Sequence, residues 1–400
     1  MDFERNYDVV VAGAGVAGVA GALEAARRGC ATALVEKTIL VGGLATTGLV
    51  NIYLPLCDGN GTQMLHGIAE ELLHASIRYG PGDVPKSWRD GRNAPERSRY
   101  RVVFNPASFA LGLDELLIEA GVALWLDTLV CTPVIEGGRV AGLEVENKTG
   151  RGVLRAACVV DATGDADVAF RAGARCVTGE NWLSIWAAQV SVDAAQRALA
   201  QGTGVPLLDI VRLGGDDAGR GATGDGSWHG VDGEEITRFV LATRTMLRER
   251  YKALYAEAGD GERRNVFPIT LPAMAQYRTT RRIVGQATVA PEAEGVRCEA
   301  SVGLAPDWRR AGRVWEVPYG ALLPVGAPGL LAVGRCASAE GDAWQVMRVI
   351  PPAAHTGQVA GVAAALAVAH ETTPDALDVA DVQRELRTRG IPLHLDEVGL

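Results

Sequence analysis

Uninterrupted apolar runs alternate along the chain with glycine-rich turns and small-residue helices. Residues 7–12 (YDVVVA) form a run of the kind buried on both faces of a parallel sheet. A glycine turn follows at 13–18. The Ala- and Leu-rich helix after it is predicted to stop at Arg27-Arg28-Gly29, because basic residues and a glycine close helices well. Residues 31–36 (ATALVE) read as a second strand. A helix is predicted near 67–79, a polar loop with Pro and Arg over 80–99, and another helix over 106–120. Apolar runs between 121 and 160, broken by Gly137-Gly138 and Gly150, predict strands and hairpins, and the run 156–162 leads into Thr163-Gly164-Asp165. From 180 to 315 Trp, Arg and longer polar helices dominate, with a Gly/Asp stretch over 214–226 read as a loop because no strand precedes it. A buried-strand signature returns at 330–334 (LLAVG). It is followed by a small-residue helix over 357–370 and a polar terminal helix with a frayed end from Pro374.

The chain has 400 residues, 48% apolar and 22% charged, which gives room for two or three domains and excludes a largely disordered protein. A net charge of −9 and 6% aromatics argue against a nucleic-acid partner. The odd number of cysteines, seven, with no C-x-x-C pair, fits separately buried, reduced thiols and no metal site. No apolar run is long enough for a membrane span, and residues 1–6 lack the features of a signal peptide, so a cytoplasmic protein is expected. Glycine is the surplus: 49 residues, well above the roughly 7% of average usage.

Part of that surplus carries chemistry. Gly13, Gly15 and Gly18 form G-x-G-x-x-G between a strand and a helix. The first glycine permits the tight turn, the second lets the backbone approach a pyrophosphate at the helix N-terminus, and the third permits close packing. Glu36, at the end of the second strand, is placed to accept hydrogen bonds from ribose hydroxyls and disfavours a 2′-phosphate. This unit alone does not separate NAD from FAD. It occurs once, so no second dinucleotide domain is expected.

Further segments resemble the FAD-dependent oxidoreductase family distantly related to fumarate reductases. They are Gly42-Gly43-Leu44-Ala45-Thr46-Thr47-Gly48, Asp161-Ala162-Thr163-Gly164-Asp165, Val333-Gly334-Arg335-Cys336, Arg281-Arg282-Ile283-Val284-Gly285, and Arg348-Val349-Ile350-Pro351 leading to Gly357-Gln358-Val359-Ala360-Gly361. The resemblance runs in order from Tyr7 to about His370. It implies bound FAD, held by Gly13, Gly15, Val16, Ala17, Gly18, Glu36, Lys37, Gly43, Leu44, Ala45 and Thr46 from the first segments. From the later ones it implies Ala162, Thr163, Gly164, Asp165, Gly334, Arg335, Arg348, Gly357 and Gln358, with the helix near Gly357 aiming its positive end at the flavin. Family members often read S-A-T-H-E where this chain has Ser338-Ala339-Glu340-Gly341-Asp342, so a histidine role at Gly341 does not carry over.

The expected architecture is α/β: a Rossmann-like FAD-binding domain with a central parallel sheet, from 1–178 and 317–400, plus an inserted α+β substrate domain over 179–316. The expected activity is hydride transfer between a small organic substrate and flavin N5, with a flavin monooxygenase and a non-redox or sensory flavoprotein as rivals. His355 is the first candidate for proton transfer and His66 the second, with Glu340 or Asp342 as replacements for the missing histidine. Arg281 is the candidate for substrate binding beside Arg282 and Tyr277, and Trp182, Trp186 and Trp228 suggest a partly aromatic pocket. The partner is a small molecule, the acceptor is a substrate, oxygen or a carrier, and a homo-oligomer is open.

Overall fold

In a computed structural model, residues 1–84, 101–215, 228–259 and 261–400 are described. Most of the expected 80–99 and 214–226 loops lies outside the described residues.

Strand β1 (Phe3–Ala12) leads to helix α1 (Val16–Arg27) and strand β2 (Thr32–Val35), as the apolar runs and the Arg-Gly stop predict. Helices α2 (Ile68–Ile77) and α3 (Pro106–Glu119) follow. Asn105 caps α3 by accepting from the amides of Ala107 and Ser108, with Pro106 at the first helical position. Strand β3 (Ala123–Trp125) precedes a meander of β4 (Leu129–Glu136), β5 (Arg139–Asn147) and β6 (Gly150–Asp161).

The main sheet runs β3-β2-β1-β6. The first half of β6 pairs antiparallel with β5, which in turn pairs antiparallel with β4, and the end of β6 pairs parallel with residues Leu330–Ala332. Along β1 the side chains alternate: Val9 and Val11 enter one core, Val10 and Ala12 the other. The register Ala12 to Val35 and Ala12 to Asp161 brings the carboxyl ends of β1, β2 and β6 to one edge, where ligands of open α/β sheets bind.

After α4 (Asp167–Arg171) and β7 (Cys176–Thr178), a second layer forms from β8 (Ser184–Ser191), α5 (Val192–Gln201), β9 (Ile210–Gly214), α6 (Gly233–Ala258) and β10 (Val266–Thr270). Its sheet order is β9-β8-β10. Helix α6 buries Phe239, Thr243, Leu247 and Tyr251, a four-residue stripe that leaves the rest of its polar surface in water. Strand β11 (Arg281–Ile283) returns to pair with β7.

Strands β12 (Ser301–Pro306) and β13 (Val314–Pro318) pair with each other. Val302, Leu304, Val314 and Trp315 join the main core. The expected domain boundary at 316 therefore falls inside a strand, and the second layer is shorter than expected. Strand β14 (Leu330–Ala332) completes the main sheet, followed by α7 (Gly341–Met347), α8 (Ile350–Ala369) and α9 (Val379–Thr388).

Helix α8 begins seven residues earlier than the sequence suggests. Pro351 and Pro352 fall in its first turn, where an amide is not needed, so they start the helix and do not precede it. Helix α8 crosses α1 through glycines. A β-carbon on Gly357 would strike the Ala17 carbonyl, and one on Gly361 would lie 2.6 Å from the Gly21 carbonyl. The tail is not frayed: Ile391, Leu393 and His394 are buried, and His394 Nδ1 lies 2.9 Å from Glu316 Oε2. All seven cysteines are free thiols. Cys57, Cys158 and Cys336 are buried, whereas Cys30, Cys131, Cys176 and Cys298 are partly exposed. Among the described residues no helix is long and apolar enough to cross a membrane.

Candidate active site

A cleft of about 810 Å³ lies along the carboxyl edge of the main sheet. At its floor the Gly13 amide donates to the Val35 carbonyl at 2.8 Å. Gly13 has φ 92, and a β-carbon there would lie 2.7 Å from the Ala162 carbonyl oxygen. Only glycine suits that position. Gly18 packs against the Gly13 carbonyl, closing the turn from behind, and does not line the cleft. Gly15 differs from both: it lines the cleft, and a β-carbon there would meet no protein atom within 4 Å. The space beside its backbone is therefore left for a ligand. Helix α1 starts at Val16 without a side-chain cap, so its first amides are free to donate to an anion.

Glu36 Oε2 accepts from the Ala14 amide at 3.0 Å and Oε1 from the Thr38 amide at 2.9 Å. Each oxygen keeps a further lone pair for a hydroxyl. The second glycine segment lies directly on the first, with the Gly42 amide donating to the Ala14 carbonyl at 2.6 Å. Thr46 turns inward, its hydroxyl donating to the Val41 carbonyl at 2.5 Å, and so braces this loop without lining the cleft.

The opposite wall is Thr163-Gly164-Asp165 with Arg335. Asp161, fully buried, accepts from the amides of Thr163 and Ala169 and from the Thr163 hydroxyl, and burial raises its pKa. Arg335 donates to the Tyr277 carbonyl at 2.6 Å and lies 3.4 Å from Asp165 Oδ1. Lys37, Gly43, Leu44, Ala45, Ala162, Gly334 and Arg348 also line the cleft. The uncapped helix start, the open face at Gly15 and the paired acceptor Glu36 fit the pyrophosphate and ribose of a dinucleotide such as FAD.

Besides Gly18 and Thr46, two more of the expected cofactor contacts do not line the cleft. Gly357 is spent on the crossing with α1, and Gln358 is buried, accepting from the Ile68 amide and donating to Glu24 Oε2, both at 3.0 Å. Ile350 and Ala353, from the true first turn of α8, face the cleft in their place, together with Thr38, Thr47, Met274 and Val333.

The expected catalytic residues are also dispersed. His355 points from α8 to β12, its Nε2 at 3.0 Å from the Val302 carbonyl and packed on Gly303. Burial pushes its pKa down to about 4. His66 borders neither the cleft nor the adjoining chamber. Arg281 pairs with Asp167 at 2.6 Å and stacks on Phe170, while Arg282 pairs with Glu340 at 3.3 Å. Asp342 accepts from Arg309 at 3.0 Å and from Arg313 at 3.2 Å, which hold its carboxyl below the usual range despite partial burial. Tyr277 stacks on Phe239, centroids 4.2 Å apart. These residues hold elements together around the site, and none lines it.

A second chamber, about 610 Å³, adjoins the cleft and shares Leu44, Arg335, Arg348 and Ile350 with it. Its other walls are Val50, Ile52, Leu54 and Val349, the indoles of Trp186 and Trp308, and Arg278. Of the three tryptophans expected in a pocket, only Trp186 lines it. Trp182 lies against Gly215, and Trp228 packs edge-on to Phe239 with centroids 5.6 Å apart. Arg278 and Trp308 are not distinguishable in the sequence from the arginines and tryptophans around them.

A family model described as FAD dependent oxidoreductase matches residues 8–189 and 218–386. A digeranylgeranylglycerophospholipid reductase from Picrophilus torridus is 29% identical over 163 residues, covering 40% of each chain. The tRNA uridine 5-carboxymethylaminomethyl modification enzyme from Geobacter sulfurreducens is 47% identical over 154 residues, 36% of this chain and 22% of that enzyme. The chain thus spans less than half the length of either relative. Among solved structures, a geranylgeranyl bacteriochlorophyll reductase-like protein from Thermoplasma acidophilum is 16% identical with a TM-score of 0.46. That alignment covers 96% of this chain and 83% of the other.

Proposed function

The chain belongs to the FAD-dependent oxidoreductases, and on that premise we propose that it moves hydride between the flavin and a small organic molecule held in the apolar chamber. The observation that carries this reading is the wall shared by cleft and chamber at Leu44, Arg335, Arg348 and Ile350. FAD supplies the two-electron chemistry that side chains lack. The turn 13–18 and Glu36 bind the dinucleotide, and the loop 42–48 presses on that turn. Val50, Ile52 and Leu54 keep water from the reacting carbon, and Arg348, whose Nε donates to Gln345 at 2.7 Å, stands at the passage between the two spaces.

The layer from β8 to β10 roofs the chamber through Trp186, and we read it as the substrate-binding part. The rest of the chain forms the FAD-binding part. The seven free thiols suit a reducing, cytoplasmic setting.

The test is anaerobic bleaching of the visible flavin band by hydroxy acids, sugars, amino acids and enones in turn. Bleaching by one class, in proportion to product formed, is expected. A flavin that no donor reduces, and that after chemical reduction no organic acceptor reoxidises, would overturn the reading. Oxygen-dependent hydroxylation would transfer it to the monooxygenases.

A further inference from the structure

We propose that Trp186 is the specificity-determining residue of the chamber: its indole is the end wall that limits how long an apolar substrate can be. The inference rests on the chamber being the substrate site.

Alternation along β8 sets up this position. Ile185 and Ala187 enter a small core with Leu247 and Tyr251 of α6, so Trp186, Ala188 and Val190 turn to the opposite face. Of these three, Trp186 alone lines the chamber. Ala188 stands opposite Ile210 on one side and Thr270 on the other, and Val190 stands opposite Phe267. Ala188, Val190 and Ile210 are half-buried, and Phe267 is exposed. A mostly apolar row therefore runs on from the indole along the same face towards water. Its first member on β8 is only an alanine, so the bulk that ends the chamber on this strand is the indole itself.

The wall is held in place. Arg212, opposite Trp186 on β9 and exposed outside the chamber, stacks on the ring with its guanidinium 4.1 Å from the ring centre. Arg278, buried and lining the chamber, lies 5.5 Å from it. Each guanidinium has a further partner besides the indole, so the ring is gripped by two anchored cations, one in the chamber and one beyond it. The buried Gln276 side chain takes both backbone groups of Trp186, accepting from its amide at 2.8 Å and donating to its carbonyl at 3.0 Å. The same side chain donates to the Gly48 carbonyl, which ties the wall to the glycine loop of the cleft. A wall fixed before the ligand arrives discriminates by size, because a longer ligand has to break these contacts to displace it.

The experiment titrates the full chain with straight-chain 1-alkanols, from butanol to dodecanol, in a calorimeter. Affinity should rise about fourfold per methylene while the chain fits, then stop rising at a cut-off length. Trp186→Ala should move that cut-off by at least about two methylenes, so alkanols just beyond the natural limit gain about tenfold or more. If that variant does not fold, Trp186→Phe, which removes part of the indole, should move it by about one methylene. A residue that only supported the fold would weaken every chain length alike. An unmoved cut-off, a uniform loss at all lengths, or no alkanol binding to the natural protein would overturn the proposal. Competition keeps the underlying reading separate. An alkanol that binds with the expected cut-off, yet does not slow bleaching of the flavin by its donor, would sink the chamber as substrate site. A colourless protein would sink the FAD reading, and an unmoved cut-off sinks Trp186 alone.

Discussion

Glu36 and the Ala14 amide are hydrogen-bonded at 3.0 Å, so the acid that ends the second strand also braces the glycine turn that ends the first. The residue proposed to bind ribose therefore shapes the pyrophosphate site too. Glu36→Ala should lose both contributions, and FAD affinity should fall by at least about tenfold, given that hydrogen bonds to charged groups contribute about 1.5–3 kcal/mol. Glu36→Gln, which retains an acceptor, should fall between that variant and the natural protein. The ratio of flavin to protein absorbance after gel filtration measures this. Full occupancy in Glu36→Ala would remove Glu36 from the cofactor site.

Two glycines of the same turn should respond in opposite ways. Gly15 has a φ of −64 that alanine tolerates, and its β-carbon would project into the cleft. Gly15→Ala should melt close to the natural protein yet retain little FAD. Gly18→Ala would drive a β-carbon into the Gly13 carbonyl. It should lower stability by about 1–3 kcal/mol, the usual cost of overpacking. Calorimetry and flavin content together separate the two effects. If Gly15→Ala bound FAD normally, the open face beside that glycine would not be where the ligand passes.

Those glycines were legible in the sequence because their chemistry is local, fixed within one strand, one turn and one helix. The same holds for Glu36, whose distance from the turn is set by the length of α1. The chamber was not legible. Arg278, Trp186 and Trp308 come from segments far apart in the chain and meet only through tertiary packing. Arg281 and Arg282 have the same local chemistry as Arg278, yet they pair with Asp167 and Glu340 and do not line the chamber. The small residues at Gly357 and Gly361 look alike in sequence whether a cofactor or another helix lies against them, and here it is α1. The prolines at 351 and 352 hid the first turn of α8, and with it Ile350 and Ala353 at the cleft.

His355 illustrates how burial changes a residue's role. Its folded pKa, about 4, lies below the ordinary value of 6.5, so the unfolded chain binds a proton that the folded chain refuses. Stability should therefore decline as pH falls from about 6.5 toward 4, by up to about 3 kcal/mol from this group. The raised pKa of buried Asp161 acts in the opposite sense at the acid end. His355→Gln should show a flatter melting profile across that pH window than the natural protein, with an unchanged rate of flavin reduction. A slope equal to that of the natural protein would show that His355 is not the group responsible.

Asp342 reaches the chamber through other residues. It accepts from Arg309 and Arg313, which follow Trp308 in the chain, and the Trp308 indole donates to the Gln345 carbonyl one turn further along α7. Helix α7 thus holds Trp308 at the chamber wall from two points. Asp342→Asn should leave FAD content and melting temperature nearly unchanged, because partly exposed ion pairs contribute about 0–1 kcal/mol. It should loosen Trp308, seen as a shift in its fluorescence and a several-fold rise in KM for whichever donor bleaches the flavin, with kcat largely kept. A residue transferring protons would behave differently, losing kcat and altering the pH profile at constant KM. That second pattern would return Asp342 to the chemistry itself, while the first makes it a positioning residue for the indole that bounds the substrate.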